Sequence, residues 1–153
     1  MNIKYILAPV IVAILILNHS AKAQYIDSSG SNAFITQYVE ESAENWDKSI
    51  LFVFYDGNNF CQICPKAIEM IYKIYAENFS SKMNIFEIDY SQPDEFDMRI
   101  DYNLSQPLSL VVVRINDGMS RGFYKIDNPQ QWIDNPFYFK NQIITYINNF
   151  LLS

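Results

Sequence analysis

The sequence predicts an α/β fold with a mixed central sheet flanked by helices, and three observations carry that expectation. Ser49 to Tyr55 (SILFVFY) is an unbroken apolar and aromatic run, the pattern of a strand covered on both faces. Segments of helical period alternate with further β-prone runs, the strongest being Leu108 to Ile115 (LSLVVVRI). A chain of 153 residues, half of them hydrophobic and poor in Gly and Pro, is sized for one folded domain with its own core.

The first segment is read as a targeting signal and set apart from the fold. Met1 to Lys4 is a short positive start, Tyr5 to Leu17 is apolar, and Ala21-Lys22-Ala23 is a small-x-small cleavage site before Gln24. A membrane anchor is the alternative, but the run holds 13 residues where a span needs about 20. No Cys follows the run, which argues against a lipid anchor. Residues 1–23 are therefore expected to be a signal peptide, 24–31 a flexible leader, and 32–153 the domain.

From Asn32, the residues Phe34, Ile35, Tyr38, Val39 and Trp46 recur at roughly helical spacing, with Glu40, Glu41 and Glu44 forming a solvated face. The strand Ser49 to Tyr55 follows and should be central. Asp56-Gly57-Asn58-Asn59 turns the chain into a helix from Cys61 to Phe79, with Ile68, Ile71, Tyr72, Tyr75 and Phe79 along its inner stripe. Asn84 to Tyr90 is a second strand, and Pro93 to Leu104 a short helix with Phe96, Ile100 and Leu104 inward. Asn116-Asp117-Gly118 joins Leu108–Ile115 to Met119–Lys125 as a hairpin. Asn135 and Pro136 open a last helix carrying Phe139, Ile143, Ile144, Ile147 and Phe150. The order is β-α-β-α-β-β-α behind an extra N-terminal helix. Short βαβ connections call for right-handed parallel crossovers, and the closing hairpin adds an antiparallel edge.

Cleavage after Ala23 has chemical consequences. His19 is the only histidine and leaves with the signal, which removes Ser-His-Asp and Cys-His catalysis and most zinc sites. Lys4 and Lys22 leave too, taking the formal charge from −6 to −8. Such an acidic surface argues against nucleic acid and anionic membranes as partners.

Phe60-Cys61-Gln62-Ile63-Cys64-Pro65 carries the chemistry. Unpaired backbone N–H groups and the positive end of the dipole at a helix N-terminus favour a thiolate on the first cysteine. A second cysteine three residues on is close enough to close a disulfide and release a mixed-disulfide partner. Pro65 needs no N–H partner in a first turn. Three uses stay open: redox exchange, an inert local disulfide, and capture of a metal or metalloid by two thiolates. Placement directly after a core strand favours the first. Gln62 and Ile63 carry no charge that sets the direction of electron flow.

From Leu51 onward this arrangement resembles the thioredoxin superfamily. Within it, FYDGNNFCQICPKAIE, IFEIDYSQPDEF and NPFYFKNQIITYINNFL are similar to the bacterial thioredoxin-like family described as nitrophenyl-compound nitroreductase subunits, the ArsF type. The resemblance implies a thioredoxin-like fold and a periplasmic thiol-disulfide oxidoreductase with Cys61 and Cys64 catalytic. It implies a protein thiol or disulfide partner tied to a membrane redox or efflux system. Nothing in the sequence looks like a flavin or nicotinamide site, and we expect a monomer without metal.

The family pattern is not matched throughout. Where thioredoxins carry Trp before the first cysteine and a buried acid six residues before it, this chain has Phe60 and Tyr55. Asp56 is one residue off and would face the other side of the strand. No basic residue stands beside Cys61, as it does in the nearer relatives. Pro107 is the candidate for the cis-proline that packs on the disulfide, with Ser109 the alternative occupant of that place. Phe60, Pro107 and Ser109 are accordingly the expected substrate-binding residues. Trp46 and Trp132 are read as core or loop packing. The sequons Asn78-Phe79-Ser80 and Asn103-Leu104-Ser105 are given no role.

Overall fold

A computed structural model describes residues 30–153. The expected signal peptide, His19 and most of the leader lie outside the described residues. The first helix, α1 (Gly30–Glu41), starts two residues earlier than its periodicity suggests. Ser31, assigned to the leader, is buried and donates from both its N–H and its hydroxyl to Asp101 at 2.8 and 2.6 Å.

The remaining elements are β1 (Ser49–Tyr55), α2 (Cys64–Asn78), β2 (Met83–Asp89), α3 (Phe96–Asp101), β3 (Leu108–Asn116), β4 (Met119–Asp127) and α4 (Pro136–Leu152). The sheet order is β2-β1-β3-β4, so β1 is central. Only β1 and β2 pair in parallel; β3 runs antiparallel to β1, and β4 antiparallel to β3. The second βαβ segment is thus not the parallel crossover expected of it. The chain passes from β2 through α3 over β1 and re-enters in the opposite direction, and a two-residue turn then joins β3 to β4. In that turn Asp117 and Gly118 have φ of 51° and 68°, the left-handed geometry of a tight hairpin.

The sheet is covered on both sides, which explains the uninterrupted apolar run of β1. Leu51 and Val53 face α2 and α4 in one cluster with Leu108, Leu110, Phe139, Ile143 and Ile147. Ile50, Phe52 and Phe54 face α1 and α3 in a second, with Phe34, Tyr38, Met98, Tyr102 and Val111. Period-2 alternation survives as a choice between two cores rather than between core and water.

Two helix stripes depart in part from expectation, although Ile68, Ile71, Phe79 and Leu104 are buried as expected. On α2 the buried face is Cys64, Ala67, Ile68, Ile71 and Ile74, while Tyr72 points outward and donates to Glu87 at 3.1 Å. Around α3, Met98, Tyr102 and Leu104 are buried and Ile100 is 61 % exposed; the side chain of Phe96 lies outside the described residues. Met98 and Tyr102 keep the i, i+4 spacing but two residues out of phase with Phe96 and Ile100, so the short helix turns a different face inward. Glu40, Glu41 and Glu44 are exposed. Trp46 is 53 % exposed in a 3₁₀ turn beside the hairpin, and Trp132 packs between Tyr138 and Tyr146. Among the described residues no helix is long and apolar enough to cross a membrane.

The last helix begins as expected. Asn135 lies in extended conformation, and its side-chain oxygen accepts from the Tyr138 N–H at 3.0 Å, with Pro136 following in the first turn. Asn135→Ala removes this cap and is expected to destabilise the protein by about 1 kcal/mol. Urea unfolding followed by circular dichroism should show a lower midpoint with an unchanged slope.

Candidate active site

β1 ends at Tyr55, and the chain needs only five residues to reach the first cysteine. Within the loop, the Asn59 N–H donates to Asp56 O at 3.1 Å and the Asn58 N–H to the Asp56 carboxylate at 3.0 Å. Gly57 through Phe60 are exposed. Cys61 stands in the turn ahead of α2 rather than inside it, and the helix starts at Cys64, whose N–H donates to Cys61 O at 3.0 Å. The two cysteines form a disulfide with Cα atoms 5.2 Å apart.

Their environments differ. Cys64 is fully buried in the cluster with Val53, Ala67, Ile68 and Leu108, whereas Cys61 is only partly buried at its margin. The Pro65 ring occupies the first turn and costs no N–H bond. Phe60 is 43 % and Ile63 44 % exposed, so the residues next to Cys61 and Cys64 in sequence present apolar side chains to solvent. Phe60 rests on Tyr55, with ring centroids 5.3 Å apart.

The loop before β3 reaches the same end of the sheet. Pro107 O accepts from the Asp56 N–H at 3.1 Å, and Leu108 shares the cluster of Cys64. No cis peptide occurs among the described residues, so the Gln106–Pro107 bond is trans. Ser109 differs from its expected role: it is completely buried, pairs with Phe54 in β1, and donates to Asp127 at 2.6 Å. Alternation puts its side chain on the sheet face opposite Cys64, out of reach of a substrate docked at the disulfide. Gln106 is held instead, its carbonyl accepting from the Tyr90 hydroxyl at 2.6 Å and its side-chain oxygen from Asn128 at 2.7 Å.

Tyr55 fills the place where an acid was looked for. Burial raises its phenol above the ordinary range, and the nearby Asp89 and Glu87 carboxylates add to the shift. A phenol that holds its proton so firmly can donate but does not serve as a base at neutral pH. Asp56 is occupied with the Asn58 N–H.

Sequence reasoning missed Asp89. One carboxylate oxygen accepts from the Gly57 N–H at 2.8 Å, the Ser91 N–H at 3.0 Å and the Ser91 hydroxyl at 2.6 Å; the other accepts from Gln92 at 2.8 Å. Burial alone would raise its pKa, but these donors outweigh it and hold the carboxyl below its ordinary value. The available signal was an Asp closing a strand ahead of Ser-Gln-Pro, the composition of a side-chain-capped turn. Among the described residues no cluster of three side chains could hold a metal ion.

No protein-family model and no curated protein sequence matches this chain. Among solved structures it is similar to a thioredoxin of Fasciola hepatica, at 17 % identity over 61 % of this chain and 79 % of that one, with a TM-score of 0.43. It is also similar to the germline-specific thioredoxin Deadhead of Drosophila melanogaster, at 18 % identity over 74 % and 97 % of the two chains and a TM-score of 0.45. From the strand order, the two-sided helical cover and a cysteine pair between the central strand and its following helix, the chain has a thioredoxin-like α/β fold.

Proposed function

We propose that this chain is an exported thiol-disulfide oxidoreductase working in the periplasm. The observation that carries the reading is the asymmetry of the pair: a disulfide whose first sulfur belongs to a partly exposed residue and whose second belongs to a fully buried one. In the reducing direction the Cys61 thiolate attacks one sulfur of a partner disulfide, and the partner's other sulfur leaves as thiolate. Cys64 then gives up its proton to solvent and attacks Cys61. The Cys61–Cys64 disulfide forms as the second partner thiol departs, so two electrons have moved to the partner. The oxidising direction is the same path reversed.

The finer assignment rests on the sequence motifs. Similarity to ArsF-type nitroreductase subunits supports a protein partner within a membrane redox or efflux system. The exposed Phe60 and Ile63 suit the docking of such a chain, with Pro107 as a further expected contact. Titration against glutathione mixtures with thiol labelling tests the reading. The pair is expected to interconvert between dithiol and disulfide across glutathione-range potentials; a disulfide that stays closed under them is structural, and the proposal fails.

A further inference from the structure

Cys64 is fixed by burial, whereas Cys61 depends on an exposed loop with few bonds of its own. What ties the start of that loop to the neighbouring strand is Asp89. The residue ends β2 as the register partner of Tyr55, and its carboxylate accepts the Gly57 N–H at 2.8 Å. The acid is itself held, because Ser91 and Gln92 supply three further donors that fix its orientation. The same contact is tight in steric terms. A Cβ built on Gly57 would fall inside the Asp89 carboxylate, so the close approach requires glycine at that position.

We propose that Asp89 and Gly57 together position the cysteine centre: the carboxylate clamps the Gly57 peptide and thereby sets how closely Cys61 is presented to Cys64. This deepens the reading given under Proposed function and rests on it. Asp89 is a positioning residue and touches neither sulfur in its role. Ring closure between two thiols depends on their effective concentration, which a fixed geometry raises and a loose loop lowers. Releasing the clamp should therefore shift the pair toward the open dithiol.

The test is the equilibrium of the protein with glutathione, read by thiol labelling. Asp89→Ala is expected to shift it toward the dithiol by roughly tenfold, which is about 30 mV for a two-electron couple. Asp89→Asn keeps an oxygen for the Gly57 and Ser91 donors and should stay within about twofold of wild type. Gly57→Ala should reproduce the shift, and adding it to Asp89→Ala should change little, since both break one contact. An Asp89→Ala equilibrium equal to wild type overturns the inference. Equal shifts in Asp89→Ala and Asp89→Asn do so as well, because charge rather than the clamp would then be responsible. If Asp89→Ala does not fold, Gly57→Ala decides alone.

Hydrogen exchange of the Gly57 amide in the oxidised protein separates the two layers of the argument. Faster exchange in Asp89→Ala and slow exchange in Asp89→Asn support the clamp even if the wild-type disulfide never opens and the redox reading fails. Unchanged exchange in Asp89→Ala overturns the clamp whatever the pair does with glutathione.

Discussion

With glutathione disulfide as probe, Cys64→Ser is expected to accumulate a stable adduct of one glutathione on Cys61, while Cys61→Ser forms almost none. The reason is accessibility joined to electrostatics. Cys61 stands in the turn ahead of α2, partly exposed and at the positive end of that helix, so its sulfur is both reachable and favoured as thiolate. Cys64 is enclosed among Val53, Ala67, Ile68 and Leu108, where burial disfavours a thiolate and blocks a bulky disulfide. In the Cys64→Ser protein no resolving thiol remains to expel the glutathione, and the adduct persists. Intact-mass spectrometry under non-reducing conditions counts the adducts. The same pair of variants applied to envelope extracts should trap protein partners in one and not the other. Equal adduct formation by both variants would remove the division of roles, and none in either would favour an inert disulfide.

A second large effect is expected far from the sulfurs. Phe52→Ala should destabilise the fold by about 3–5 kcal/mol, the range for deleting a fully buried aromatic ring. Phe52 has no exposed surface and lies between Phe86 on β2 and Val111 on β3 in register. Its ring meets Phe34 edge-on at 4.9 Å and lies tilted to Phe54 at 5.2 Å and Tyr102 at 5.9 Å. It thus joins α1, the sheet and the segment after α3, and no neighbour can close the space without giving up an aromatic contact. Phe123→Ala is the control. That ring also meets Tyr102, at 4.9 Å, but is 48 % exposed on an outer strand, so the cost should be well under half as large. Chemical denaturation of the two variants, with the disulfide intact, makes the comparison; similar losses would mean that the second core is not organised around Phe52.

How far the fold could be read in advance depended on how local each cause is. The hairpin at Asp117-Gly118, the Asn135 cap and the two-sided burial of Ser49–Tyr55 follow from short stretches whose chemistry admits few conformations, and each is found in place. The cysteine pair was legible for the same reason. The direction of β3 was not, because nothing within a strand says which way its neighbour runs. Tyr72 lies outside rather than inside because a tyrosine can satisfy its hydroxyl there, on Glu87. Ser109 and Asp89 were misread or missed for a different reason. Each acts through residues 18 and 32 positions away, Asp127 and Gly57, and only the assembled sheet brings those groups together.

Placing β2 at the rim of the sheet also bears on how readily a second copy could pair along it. Among the described residues its outer side carries no strand, and a bare rim of peptide groups is a template on which another chain can extend the sheet. The strand reads Met-Asn-Ile-Phe-Glu-Ile-Asp, and its polar members Asn84, Glu87 and Asp89 recur along its length. A second β2 laid against it would bring two sets of these acids together without a cation in either strand. Asp89 cannot retreat from such an encounter, being held by Gly57, Ser91 and Gln92. The carboxylate that steadies the cysteine loop therefore also opposes pairing of a second copy along the rim, and the two duties are compatible because both require it to stay in place.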